Sequence, residues 1–269
     1  MTTLAAPSLS AHFADTPTSD TLPAREVMGV WVHAPSLAAA ARRIVSWARA
    51  GAARTVYATG AHGLVEARED AALRRILNGA DLNVPDGTPL VWTLRALGVR
   101  RAERVYGPDL MLEVCREAAT SGISIALYGS TPATLARLKE RLRRLAPGLE
   151  IACAIAPPFR SPTAAEDAAH VAELAASGAG IVFVGLGCPR QERWCHAHRG
   201  QVSAVLVGVG AAFDFHAGTV RQAPAPVQRA GLEWAFRLAI EPRRLWRRYA
   251  RIVPQFMAAA AVEIARARA

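Results

Sequence analysis

Short apolar runs, each ended by glycine or proline, alternate along this chain with longer stretches in which apolar residues recur every three or four positions. The runs are REVMGVWVH, RTVYATG, ADLNVPDG, ISIALYG, GIVFVGLG and SAVLVGVG. Short, glycine-bounded and rich in β-branched residues, they have the pattern of strands buried on both faces. Between them, ATLARLKERLRRLAP places Leu135, Leu138, Leu142 and Leu145 on one helical stripe. Ser36 is placed to cap a helix over 36–50, and a second helix is expected after His62, carrying Leu64, Ala71, Leu73, Ile76 and Leu77.

Buried strands alternating with amphipathic helices predict an α/β fold, a Rossmann-like sheet of mainly parallel strands flanked by helices, followed by a C-terminal helical appendage. Ligands of such sheets bind beyond the carboxyl ends of the strands, where the glycine-bearing ends of these runs fall. Neither GxGxxG nor GxxxxGK[ST] occurs, which argues against the usual dinucleotide and P-loop sites. The first 25 residues have neither a basic start nor a continuous apolar block, so they read as a flexible leader and not as a signal peptide.

The segment PRRLWRRYARIV changes the picture. Pro242 suits a first helical turn, and on the helix it begins Arg243, Arg244, Arg247, Arg248 and Arg251 fall on one side, with Leu245, Trp246, Tyr249, Ile252 and Val253 on the other. Such a helix lies in a membrane interface, presents arginines to a ligand, or packs on a core with a solvated basic face. The 32 basic against 22 acidic residues, formally +10, predict attraction to polyanions. No nucleic-acid recognition module accompanies the charge, so no nucleic acid is expected. No run reaches the 18 apolar residues of a span; membrane contact would be peripheral, and a cytoplasmic location facing the anionic inner leaflet fits the basic excess.

Candidate chemistry gathers at the strand ends. Asp86 follows an apolar run and precedes Gly87, where it either caps the next segment or takes a proton from a hydroxyl. Asp109 follows Gly107 and Pro108 as a candidate helix N-cap. Gly129, Ser130 and Thr131 join a strand to a helix, a place for an anion or simply a tight turn. In GLGCPRQERW, Gly185 and Gly187 allow close approach, while Gln191 and Glu192 either read a base or sugar edge or occupy a surface first turn. Asp214 and His216 flank Phe215, and Asp214 alternatively holds neighbouring backbone amides. Cys115, Cys153, Cys188 and Cys195 lack a disulfide or zinc spacing even with His196 and His198 nearby, so reduced thiols and no metal are expected.

Together VPDGTPLVW, ERVYGPDLM, VGLGCPRQERW, FDFHAG and QRAGLEWAFRLAIEPRRLWRRY resemble the WecG/TagA/CpsF family of bacterial glycosyltransferases, over about residues 27–256. The resemblance implies inverting transfer of a hexose or N-acetylhexosamine from a UDP-sugar to an undecaprenyl-diphosphate-linked saccharide at the cytoplasmic membrane face, without a divalent cation or other cofactor. It implies that Asp86 is the general base, that Gly185, Gly187 and Gln191 form the nucleotide-side motif, and that Arg229, Arg237, Arg243, Arg244, Arg247 and Arg248 serve diphosphate and lipid contacts. One departure concerns a Thr-x-Asn element of many members. Thr59 is kept, Ala61 stands at the Asn position, and His62 follows as either a substitute hydrogen-bonding group or a loop histidine.

These readings divide the chain into the leader, a catalytic core over 26–222 and a basic membrane-associating appendage over 223–269. Asp86, Thr59 and His62 are the candidate catalytic residues. Gly129, Ser130, Gly185, Gly187, Gln191, Glu192 and Asp214 are candidates for the donor, and Asp109 joins the six arginines for acceptor or diphosphate. A non-catalytic UDP-sugar or lipid-linked saccharide binder at the membrane surface is the alternative, and the oligomeric state, a homo-oligomer included, stays open.

Overall fold

The computed structural model describes residues 22–269. Residues 1–21 of the expected leader lie outside the described residues, and Ala24 and Arg25 at its end already belong to a strand. The first apolar run departs from expectation. It forms β1 (Ala24–Val27) and β2 (Val30–His33), an antiparallel hairpin outside the main sheet, because Met28 and Gly29 both take left-handed backbone angles (φ 53° and 79°) and reverse the chain.

Helix α1 (Leu37–Arg49) is capped by the Ser36 hydroxyl, which accepts from the Ala39 N–H. β3 (Arg54–Thr59) follows. The single helix expected after His62 is two, α2 (Ala61–Glu69) and α3 (Ala71–Asn78), because Asp70 leaves the helical region and its carboxylate accepts from the Ala72 and Leu73 N–H groups. β4 (Leu82–Pro85), α4 (Thr88–Ala96) and α5 (Gly107–Thr120) come next. Asp109 lies inside the first turn of α5, not at its N-cap, which is Tyr106.

β5 (Ile125–Gly129), α6 (Pro132–Leu145), β6 (Ile151–Ile155), α7 (Ala164–Ala176), β7 (Ile181–Gly185), α8 (Arg190–His198) and β8 (Val205–Gly208) complete the alternation. β6 lies outside the apolar runs that predict strands. The chain ends in α9 (Ala212–Ala217), α10 (Ala225–Arg229), α11 (Glu233–Ile240) and α12 (Pro242–Arg268), the last running through Pro254 and the alanine-rich tail.

Among the described residues the main sheet has the order β4-β3-β8-β7-β5-β6 with every pairing parallel. Its strands alternate between two cores, as the period of two requires. Ala126, Tyr128, Val182, Val184 and Leu206 face one core, and Ile125, Leu127, Ile181, Phe183, Val205 and Val207 the other. The first core takes Leu64 of α2, Leu90 of α4, Trp194 of α8 and Ile252 and Phe256 of α12; the second takes α1, α5, α6 and α9. Fully burying each leucine contributes roughly 1.5–3 kcal/mol, and burying Leu245, Ile252 and Phe256 fixes the rotation of α12 on the core. The helix after β3, α2, packs on the first core and the helix after the neighbouring β8, α9, on the second, so the direction of the connections reverses at the carboxyl ends of β3 and β8.

Candidate active site

A cavity of about 340 Å³ opens at that reversal. Its floor is the strand ends: Thr59 closing β3, Asp86 just past β4, and Gly210 just past β8. The two strand ends touch so closely that a Cβ on Gly60 would lie 2.7 Å from the Asp86 carbonyl oxygen, and the Asp86 N–H donates to the Thr59 carbonyl at 2.9 Å. One wall is the start of α2, with His62 and Gly63, and another is the turn into α8, with Gly187, Cys188, Gln191 and Glu192. The C-terminal helices cover the rest: α11 supplies Glu233, Trp234 and Arg237, and α12 supplies Arg248, Tyr249, Val253 and Phe256.

Buried side-chain oxygens and nitrogens normally have partners. Among the described residues six such atoms have none, and four of them, Thr59 Oγ1, Asp86 Oδ1, Glu192 Oε2 and Arg237 Nε, belong to residues lining this one cavity. Protein groups leave them unsatisfied, and a polar ligand would satisfy them. Burial pushes the Asp86 carboxyl up to about 7, helped by the negative charge of Glu233 and opposed by Arg104, the Gly107 N–H and Arg237. An aspartate with that affinity for protons and a free oxygen can accept a hydroxyl proton near neutral pH.

Burial also pushes the Glu192 carboxyl above the usual range, although the Gln191 amide donates to its Oε1 at 3.0 Å. Burial, and then the charge of Arg248, hold the His62 imidazole below the usual histidine range, which favours a neutral ring. Its Nε2 lies 3.5 Å from Glu66. Gln191 is 2% exposed, and its Oε1 accepts from both the Gly187 N–H (3.2 Å) and the Gly210 N–H (3.0 Å). It therefore pins the turn after β7 to the turn after β8. Gly187, at φ 77° with open space where a Cβ would be, leaves its backbone approachable.

The structure thus brings together Asp86, Thr59, His62, Gly187, Gln191, Glu192, Arg237 and Arg248. Gly129, Ser130, Gly185 and Asp214 are not in the cavity lining. A Cβ on Gly129 would lie 2.6 Å from the Gly185 carbonyl oxygen, and one on Gly185 would lie 2.8 Å from the Phe213 ring, so these glycines admit protein. The Asp214 carboxylate accepts from the Ser130 hydroxyl (3.5 Å) and the Thr219 hydroxyl (3.4 Å). Asp109 sits 3.7 Å from Arg104, outside the lining. Arg229, Arg243, Arg244 and Arg247 are exposed beyond it, and Arg244 pairs with Glu241. Arg251, on the same basic stripe, is taken by Glu66 and Glu69 of α2.

Sequence reasoning missed Arg104, Tyr106, Glu233, Trp234 and Tyr249. The Glu233 carboxylate accepts from the Tyr106 hydroxyl and, at 3.1 Å, from Arg104, whose guanidinium lies 4.1 Å from the Tyr106 ring centroid. Trp234 and Tyr249 meet edge to face at 6.2 Å and join α11 to α12. All five stand in motifs quoted above, ERVYGPDLM and QRAGLEWAFRLAIEPRRLWRRY, beside the residues that were singled out.

Residues 25–269 match the family model described as Glycosyl transferase WecG/TagA/CpsF family. An N-acetylglucosaminyldiphosphoundecaprenol N-acetyl-beta-D-mannosaminyltransferase from Bacillus spizizenii is 35% identical over 196 residues, which make up 72% of this chain and 73% of that protein.

Proposed function

The chain belongs to the WecG/TagA/CpsF family of glycosyl transferases, and from that premise we propose an inverting transferase that moves a hexose or N-acetylhexosamine from a UDP-sugar to a saccharide on undecaprenyl diphosphate, in cell-surface polysaccharide synthesis. The observation that carries this reading is the buried Asp86 carboxylate, its Oδ1 unpartnered on a cavity whose other unpartnered atoms are a hydroxyl, a carboxyl and a guanidinium nitrogen.

The acceptor hydroxyl donates to Asp86 Oδ1. As its oxygen bonds to the anomeric carbon on the face opposite the nucleotide, the proton passes to Asp86 and the carbon–oxygen bond to UDP breaks, its electron pair leaving with the diphosphate. Arg237 and Arg248, the arginines of the C-terminal helices that line the cavity, meet the charge that develops there. Thr59 and Glu192 offer hydrogen bonds to sugar or base edges. In this reading residues 26–222 form the catalytic core and 223–269 an appendage that both closes the site and rests on the anionic inner leaflet as a peripheral, cytoplasmic attachment. The exposed Arg243, Arg247 and Trp246, the last 53% exposed, are its lipid-facing groups. None of the described helices is long and apolar enough to cross a membrane.

Purified protein given a panel of UDP-hexoses and UDP-N-acetylhexosamines with a lipid-diphosphate saccharide should release UDP only when the acceptor is present. Binding of UDP-sugars across the panel with no turnover would replace this reading by the non-catalytic binder.

A further inference from the structure

Glu233 opens α11, and its carboxylate is the meeting point of the C-terminal helices with the loop that leads into α5. Oε1 accepts from the Tyr106 hydroxyl, and Oε2 accepts from Arg104. The other terminal nitrogen of Arg104 donates to Gln228 Oε1, and the guanidinium plane stacks on Tyr106. Arg104 is thereby clamped by Glu233 and Gln228, two side chains of the C-terminal helical region. Asp86 lines the same cavity as Glu233 and Tyr106, with Oδ1 unpartnered.

We propose that Glu233 is a positioning residue for the base: seating α11 over the cavity draws the Arg104 guanidinium into the Glu233–Gln228 clamp, so that Asp86 is left unpaired only when the C-terminal helices are in place. The inference rests on the reading of Asp86 as base. A carboxylate engaged by a guanidinium is a weak base with its lone pairs occupied. Arg104 is the strongest cationic influence on Asp86, and Glu233 the strongest anionic one. Tyr106 adds a neutral hydroxyl and Arg237 a second, weaker positive charge, while Arg248 and His62 lie on the cavity wall made by α12 and α2. The device makes chemistry conditional on closure: the Val105 N–H donates to the Pro85 carbonyl at 3.0 Å, which holds the loop bearing Arg104 against the strand end that carries Asp86, and Asp109 lies 3.7 Å from the guanidinium, so an Arg104 released from the clamp turns to these carboxylates.

The test compares pH profiles of kcat/KM for the parent, Glu233→Gln and Glu233→Asp, with Asp86→Asn in parallel. Glu233→Gln keeps the shape and one acceptor oxygen but not the charge. Its acid limb should move roughly one pH unit toward acid, because a negative neighbour is lost, and its plateau kcat should fall about tenfold, because the base is weaker. Donor KM should stay within about twofold. Glu233→Asp should hold the parental limb. A Glu233→Gln enzyme that loses activity with its limb unmoved overturns the proposal and leaves Glu233 a plain structural clamp. So does a crystal structure of that variant with Arg104 still stacked on Tyr106 and Asp86 Oδ1 still unpaired. Full activity in Asp86→Asn is a separate failure: it removes the base assignment itself.

Discussion

Two places in this sheet share one sequence signature, an apolar run ending in glycine with a polar residue beside it, and they are built for different things. Past β5, Gly129 and Ser130 both have left-handed backbone (φ 135° and 60°), Gly129 presses on the backbone of Gly185, Phe213 fills the space beyond Gly185, and the Asp214 carboxylate is occupied by the Ser130 and Thr219 hydroxyls. Past β3 and β4, Gly60 likewise presses on backbone, but Thr59 Oγ1 and Asp86 Oδ1 are left without partners beside a cavity. A glycine at a strand end reports that something approaches closely; only the hydrogen-bond accounting tells whether it is the protein itself or a ligand. Stability is invested at the first site and withheld at the second, as expected where a function has to be served.

Asp86→Asn tests the contrast hardest. Loss of the general base should reduce kcat by roughly 10²–10⁴-fold while UDP-sugar binding persists. In the parent the base must be ionised, so kcat/KM should rise with pH through about 7, the region to which burial brings this carboxyl. The stability consequence has the opposite sense. A carboxyl held above its unfolded value binds more protons in the folded state, so its contribution to stability is lost as pH rises from about 4 to 7. Asn carries no such penalty. Denaturant unfolding at pH 8 should find the variant no less stable than the parent, and a marked loss of stability there would mean that Asp86 holds the fold together.

Gly129→Ala is the mirror experiment at β5. A Cβ at φ 135°, 2.6 Å from the Gly185 carbonyl oxygen, meets backbone that has nowhere to go. The cost should be roughly 3 kcal/mol, read as a lowered denaturation midpoint. Protein that remains folded should keep kcat within about threefold.

How much of this was legible beforehand follows the range of the interactions. Runs buried on both faces and helical repeats are local signals, so the parallel α/β sheet and the C-terminal helices could be read directly. The hairpin could not, since the only mark of its reversal was Gly29 inside a nine-residue apolar run. β6, with its sequence IACAI and its partly exposed pattern at the sheet edge, carries only a weak strand signal. The same limit governs the site. Asp86 and the Gly187–Gln191 turn announce themselves by position, whereas Thr59 is marked only by the family resemblance. Glu233 meets Tyr106 across 127 residues of chain, a contact that neither segment states alone. Helical angles sorted the arginines onto one side of α12, but the burial of Leu245, Ile252 and Phe256 decided that Arg248 faces the cavity while Arg251 turns to α2.

Thr59→Val sharpens the contrast from the cavity side. The hydroxyl is buried and unpartnered, and valine has nearly its shape, so the folded state loses no hydrogen bond and gains an apolar group. Stability should be unchanged or slightly higher. Turnover should fall about tenfold if a substrate oxygen supplies the missing partner. A destabilised variant with parental kinetics would move Thr59 into the same class as Asp214.

The smallest effect is expected at Asp214→Asn. Its carboxylate is spent on two long hydrogen bonds from Ser130 and Thr219, and its backbone carbonyl accepts from the Thr219 N–H at 3.0 Å, which closes the turn after α9 whatever the side chain. An amide keeps the size and one acceptor oxygen, so the change weakens charge-assisted bonds without leaving a buried charge unpaired. Stability should drop by about 1 kcal/mol, and donor KM should move less than about twofold. A tenfold rise in donor KM with an unchanged denaturation midpoint would be the reverse result. It would place nucleotide or sugar against the β5 end after all, make Ser130 and Asp214 ligand-facing groups, and reduce the difference between the two strand ends to which of them happens to be empty.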